Sequence, residues 1–109
     1  MSKTPAYAVA NLIINDSDIY RIYEKGLFPI LKKYGGELVT FDDSPQTLEG
    51  DTPPQGRIII LKFPSEEVAK KWYLDPEYDL LSNYRRNGTS LKFLTIIKGM
   101  PPRIKKNNI

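Results

Sequence analysis

The chain contains no cysteine and no histidine. Without cysteine there is no disulfide and no thiolate nucleophile; without histidine the commonest proton shuttle and metal ligand near neutral pH is missing. Any chemistry must rest on Tyr, Arg, Asp and Glu. Long apolar runs are missing as well. No stretch approaches the ~20 residues that cross a bilayer, and Met1-Ser2-Lys3-Thr4-Pro5 lacks the charged-then-hydrophobic layout of a signal peptide. A cytoplasmic protein with no membrane partner is expected. There is no P-loop, dinucleotide fingerprint, nucleophile elbow or metal-ligand spacing, and the acidic pairs Asp42-Asp43 and Asp16-x-Asp18 are too sparse for a calcium loop. Neither a metal nor a cofactor is expected.

The net charge of +3 is concentrated at one end: residues 99–109 carry Arg103, Lys105 and Lys106 and no acid, which leaves residues 1–98 neutral. Nucleic-acid binding draws on clustered positive charge over a folded surface, so no nucleic-acid partner is expected. Hydrophobic residues at 40% and charged residues at 27% are ordinary for a globular domain, and 109 residues suffice for one core. The expected organisation is a single α+β domain over residues 1–98 and a basic, proline-containing tail over 99–109.

Ala6 to Ile14, rich in Val, Ile, Leu and Tyr, reads as a first strand. Asp16 or Ser17 can cap a helix whose apolar residues Ile19, Ile22, Tyr23, Leu27, Ile30, Leu31 and Tyr34 share one face; Pro29 predicts a kink, and Gly35-Gly36 a left-handed stop. Glu37 to Phe41 alternates as a second strand, and Asp42 to Gln55 reads as a long loop or loose hairpin around Leu48-Glu49-Gly50-Asp51. Arg57 to Phe63 is apolar at consecutive positions, which predicts a central strand covered on both faces. Ser65 caps a helix with Val68, Ala69, Trp72 and Tyr73 turned inward; Asp75-Pro76 starts another that stops at Gly88, and Leu91 to Lys98 closes the sheet. On the last strand, alternation places Leu91, Phe93 and Ile97 on one side and Leu94 and Ile96 on the other. The order β-α-β-β-α-β is that of a ferredoxin-like α+β domain. Two helices cover one sheet face only, so a second copy is the expected cover for the other, giving a two-fold homodimer. An RNA-recognition domain has the same element order, but it needs aromatic residues and a glycine on strand three, where this chain has aliphatics.

Asp16 with Tyr20 and Tyr23, Pro29, Tyr34-Gly35-Gly36, Leu48-Glu49-Gly50, Arg57, Phe63-Pro64-Ser65, Ala69, Trp72-Tyr73, Glu77-Tyr78 and Arg85 follow in an order that resembles the family catalogued as domain of unknown function 1330. The likeness runs from Tyr7 to about Gly99, within the superfamily of dimeric α+β barrels. The resemblance implies a ferredoxin-like protomer, a sheet that packs on a second protomer's, and a small cavity between sheet and helices. It implies no single reaction, because that superfamily holds lactone isomerases, cofactor-independent monooxygenases, haem-degrading enzymes and stress-response proteins. The absence of histidine removes an axial haem ligand.

Arg57 and Arg85 are the leading site candidates. Arg85 falls two helical turns after Tyr78, on the stripe with Leu81 and Ser82 that should face the sheet. A guanidinium near an interior needs a partner: either a structural carboxylate, Asp16, Glu49 or Asp79, or a bound carboxylate or phenolate. Tyr20, Tyr23, Trp72, Tyr73 and Tyr78 are either core or the walls of an aromatic pocket, with Tyr20 and Tyr78 the better placed for the pocket. Asn11, mid-strand, points into that cavity if its face meets the helices; otherwise it makes a buried structural bond. Glu49 and Asp51 could supply a general base if partly desolvated. The function expected is that of a homodimeric small-molecule-binding protein or cofactor-independent enzyme, isomerase-like or monooxygenase-like, acting on a small acidic, mostly apolar compound. The alternative is a non-catalytic stress-response or self-association module with no ligand.

Overall fold

The structure, a computed structural model, describes residues 4–101. Seven elements follow in order: β1 (Ala6–Ile14), α1 (Ser17–Lys33), β2 (Glu37–Asp42), β3 (Arg57–Phe63), α2 (Glu66–Tyr73), α3 (Pro76–Gly88) and β4 (Thr89–Lys98). All pairings are antiparallel, in the sheet order β2-β3-β1-β4, so the two strands most central in space are β3 and β1. This is the expected ferredoxin-like α+β fold. Of the tail expected over 99–109, residues 102–109 lie outside the described residues; Gly99 still donates its N–H to Pro5 O at 2.8 Å, extending the β1–β4 edge by one step.

The local reasons are those of capping. Asp16 Oδ1 accepts from the N–H groups of Asp18 and Ile19, Ser65 Oγ from that of Val68, and Asp75 Oδ1 from those of Glu77 and Tyr78, so each helix start has a side-chain cap. At the other end of α1, Gly36 N–H reaches Leu31 O at 2.8 Å and Gly35 N–H reaches Lys32 O at 3.1 Å, with Gly35 at a φ of 68° that glycine adopts without strain. The kink expected at Pro29 does not break the helix into two elements. Pro29 and the residue one turn back, Lys25, both lie on the exposed side, so the carbonyl that lacks its N–H partner is not sealed in the core.

Two irregularities reassign side chains between the sheet faces. The β1–β4 register slips between Asn11 and Leu12, which leaves Lys92 as the extra residue, opposes Leu91 to Leu12 and so turns Leu91 to the helix side. Simple alternation would have kept Leu91 beside Phe93 and Ile97. A second slip, at Val39, puts both Leu38 (opposite Leu61) and Phe41 (opposite Ile59) beneath the helices. The core lies on that side, with Ala6, Ala8, Leu12, Leu61 and Phe63 of the sheet packed under Tyr20, Tyr23, Leu27, Ile30, Leu31, Ala69, Trp72 and Tyr78. The small Ala6, Ala8 and Ala10 on the central strand make room for those rings. The opposite face presents Tyr7, Val9, Ile58, Ile60, Phe93 and Ile97, with Phe93 and Ile97 largely exposed. No described element covers it. Tyr73, expected to face inward with Trp72, is exposed instead.

Candidate functional site

Between the sheet and the helices lies a cavity with about 80 Å³ of space that the centre of a water molecule can reach. A single water needs roughly 10–15 Å³ on that measure, so the space takes several waters or a small organic molecule. Its floor is Ala8, Ala10 and Leu12 of β1 with Ile59 and Leu61 of β3; its roof is Tyr20, Tyr23 and Leu27 of α1 with Trp72 of α2 and Tyr78 and Arg85 of α3. Glu24, Phe28, Phe41 and Arg57 stand at the mouth, with Phe28 and Phe41 about half exposed.

Six of the ten residues weighed for a site meet here: Tyr20, Tyr23, Arg57, Trp72, Tyr78 and Arg85. Asn11 does not. It sits on the opposite sheet face, and its Nδ2 donates to Gln55 O at 2.8 Å and Arg57 O at 3.1 Å. That amide pins the end of the 43–56 loop onto β1 and so fixes the start of β3, from which Arg57 projects. Gly56 makes the approach possible: it adopts a φ of 82°, and a Cβ there would run into the Leu12 carbonyl oxygen. Glu49 and Asp51 are exposed on the loop and do not line the cavity.

The two arginines have different surroundings. Arg57, 13% exposed, donates from Nε and Nη2 to Asp43 at 2.7 and 3.1 Å and from Nη1 to Glu24 at 2.7 Å, while its guanidinium stacks 4.2 Å over the Phe41 ring. Its ion pairing is thus structural, with partners other than the expected Asp16, Glu49 or Asp79. The fork to Asp43 and the bond to Glu24 raise the Arg57 pKa, and the same fork lowers that of Asp43. Arg85 is 3% exposed, and no described carboxylate pairs with it. Asp79, one helix turn and more away, is taken by Arg86 at 3.1 Å, and Asp16 is occupied as the cap of α1. The Nε of Arg85 is buried with no acceptor, and the guanidinium lies 5.8 Å from the centre of the Tyr23 ring.

Tyr23, expected either in the core or in the wall of an aromatic pocket, lines the cavity from α1. Its hydroxyl and that of Tyr78 are 2.7 Å apart and buried. Burial, reinforced by Tyr78, raises the Tyr23 pKa well above the usual phenol value, and burial pushes that of Tyr20 up to about 12 despite the neighbouring Arg57. Both rings therefore stay protonated at neutral pH. Trp72 completes the wall, its ring tilted against those of Tyr78 and Phe63 with centres 4.4 and 4.9 Å away, and its Nε1 is likewise buried without an acceptor. Sequence reasoning missed Glu24 and Phe41; Phe41 reaches the mouth only because of the slip at Val39, which leaves no mark in the pattern. Among the described residues no cluster of three or more His, Cys, Asp or Glu could hold a metal ion, and no helix is long and apolar enough to cross a membrane.

A family model described as Domain of unknown function (DUF1330) matches residues 5–100. No curated protein matches the chain. Among solved structures, a protein of unknown function from Rhodopseudomonas palustris is similar with a TM-score of 0.72 and 17% identity, covering 92% of this chain and 85% of that one. SnoaB from Streptomyces nogalater, a cofactor-independent oxygenase, is similar with a TM-score of 0.61 and 6% identity over 97% of this chain and 99% of its own. HapK from Hahella chejuensis follows at 0.59 and 8%, over 94% and 99%. Identities this low bear on the fold alone.

Proposed function

We propose, for a chain that belongs to the DUF1330 family, that the cavity under α1 and α3 binds a small, mostly apolar molecule through an acidic group that meets Arg85. The carrying observation is the Arg85 guanidinium: buried, unpaired among the described residues, and lining a cavity otherwise made of rings and aliphatic side chains. An uncompensated charge in such a place is costly and is retained in folded proteins where a ligand or substrate supplies the counter-charge. Arg57, by contrast, is satisfied, and its part is to hold the mouth. Tyr20, Trp72 and Tyr78 give flat walls suited to a planar body.

The protein acts, on this reading, as a homodimer joined through the open sheet face and as a cofactor-independent enzyme or binding protein, isomerase-like or monooxygenase-like. SnoaB, a cofactor-independent oxygenase of similar fold, is a precedent for such chemistry and no more than that. Calorimetry with aromatic and unsaturated acids, each beside its neutral methyl ester, is the test. Acids should bind at least tenfold more tightly than the esters, and Arg85→Met should erase the difference, since a charge-assisted hydrogen bond is worth about 1.5–3 kcal/mol. Equal affinities for acids and esters, or no binding at all, would return the chain to the reading of a non-catalytic self-association module.

A further inference from the structure

Counting hydrogen-bond capacity inside the cavity narrows the acidic group. Tyr23 and Tyr78 own two hydroxyl protons and share one bond, so one O–H has no acceptor among the described residues. Beside the pair stands Arg85, a donor only, with its Nε buried and unpartnered. The one acid in the lining is Glu24, and it is at the mouth, bonded to Arg57 at 2.7 Å. The inner end of the cavity therefore offers donors and no free carboxylate.

The complement of such a cluster is an oxygen that only accepts. A carboxylate brings two oxygens and about four lone-pair sites, of which the bidentate guanidinium fork and one hydroxyl would meet about three, leaving one unmet in an apolar chamber. An enolate or phenolate brings one charged oxygen and spreads its charge into a flat conjugated body, the shape that Tyr20, Trp72 and the aliphatic floor can sandwich. We propose that Arg85 and the Tyr23–Tyr78 hydroxyl pair form a single-oxyanion site that holds an enol or a phenol in its ionised form. This rests on the reading of Arg85 as an anion partner and goes one step further, to the class of anion. On binding, the ligand O–H bond breaks, the electron pair stays on oxygen, and the proton leaves to solvent through the mouth. Tyr23 is no sink for it, because its own hydroxyl is held protonated by burial.

The sign of a ligand's pKa shift decides the matter. An apolar cavity without an available cation raises the pKa of a bound phenol, whereas a guanidinium and a hydroxyl aimed at its oxygen lower it. Titrating 4-nitrophenol by its phenolate absorbance, with and without saturating wild-type protein, should show an apparent pKa lowered by about one unit, a tenfold preference for the ionised form. An unchanged or raised pKa overturns the proposal. The Tyr23→Phe/Tyr78→Phe double variant should lose at least half of that lowering; a lowering that persists in full removes the tyrosines from the site and overturns the proposal as stated. Where that variant does not fold, the sign in wild-type protein still decides. Two further ligands separate this idea from the one beneath it. If 4-nitrobenzoate binds more tightly than neutral 4-nitrotoluene while 4-nitrophenol shows no lowered pKa, the oxyanion proposal fails and the anion reading stands. If neither acid outbinds 4-nitrotoluene, both fail.

Discussion

Replacing Arg85 by methionine should make the ligand-free protein more stable. Methionine has nearly the length of the arginine stem and a flexible thioether that fills irregular space, so contact with the Tyr23 ring and the cavity wall is kept while the charge and its unmet donors are removed. Arg85 is 3% exposed, its Nε finds no acceptor, and no described carboxylate offsets its charge. A buried charged group left without its partner costs about 1–3 kcal/mol or more, and water in the cavity recovers part of this, which points to the lower half of the range. The expected gain is thus about 1–2 kcal/mol, or a rise in Tm of roughly 4–8 °C per kcal/mol for a domain of this size. Urea unfolding followed by far-UV circular dichroism is the assay, with the gain appearing as a higher midpoint at constant m. In the presence of a tight acid at a hundred times its wild-type Kd, the wild type should regain about 2.7 kcal/mol and the variant, binding at least tenfold more weakly, at most about 1.4 kcal/mol. If Arg85→Met instead loses more than about 1 kcal/mol, the guanidinium already has a partner in the ligand-free protein, and the inference from an unpaired cation to an anion site collapses.

Arg57→Gln should move stability the other way, by about 1–2 kcal/mol downward, because it leaves Glu24 and Asp43 without their shared partner; their exposure limits the loss. Affinity for acids should stay within a few-fold of wild type in that variant, as calorimetry would report. Asp75 is held well below its ordinary pKa by the Tyr34 hydroxyl, the Lys33 ammonium and the first N–H groups of α3. A carboxyl depressed in the folded state adds stability that is full above about pH 5 and drains away as pH falls through its unfolded value near 4 and below. Asp75→Asn, which keeps a good cap, should therefore flatten the fall of Tm between pH 5 and 3, and an unchanged slope would show that other carboxyls dominate it. Light scattering at micromolar concentration should report twice 12.5 kDa, and Ile60→Lys on the open face should return it to the monomer mass without loss of helical signal.

Much of the fold could be read from the residues, since caps and strong patterns are local. Asp16, Ser65, Asp75-Pro76 and Gly35 act where their chemistry says they should, and β1 and β3 begin and end at the residues expected. Most of the failures concern register, the path of a loop or the side on which the helices pack, which no local pattern encodes. A one-residue slip moved Leu91 to the helix side, and another brought Phe41 beneath the helices. Asn11 fell on the face away from the cavity because the side on which the helices pack is a property of the whole chain. The same holds for the site. Arg57 and Arg85 are alike as letters, but the loop carries Asp43 to one and no acid to the other. Tyr20, Trp72 and Tyr78 could be placed from helical spacing; the Tyr23–Tyr78 bond, between α1 and α3, could not.

The roof of the cavity is fastened at both ends. At one, Asp75 caps α3 and accepts from Lys33 at 2.9 Å and from Tyr34 as α1 ends; at the other, Gly88 O receives the N–H groups of Asn15 and Asp16 at 2.8 and 3.0 Å as α1 begins. Between them Gly26 lets the two helices touch, for a Cβ there would sit 2.6 Å from Leu81. A plate clamped on two sides does not swing open, so the passage of a molecule in and out falls to the free margin, where Arg57 bridges Glu24 of α1 to Asp43 beyond β2. If the cavity takes the proposed ligand, that bridge is its turnstile: it sets how often a visitor passes, while Arg85, deep behind it, sets how firmly the visitor is held.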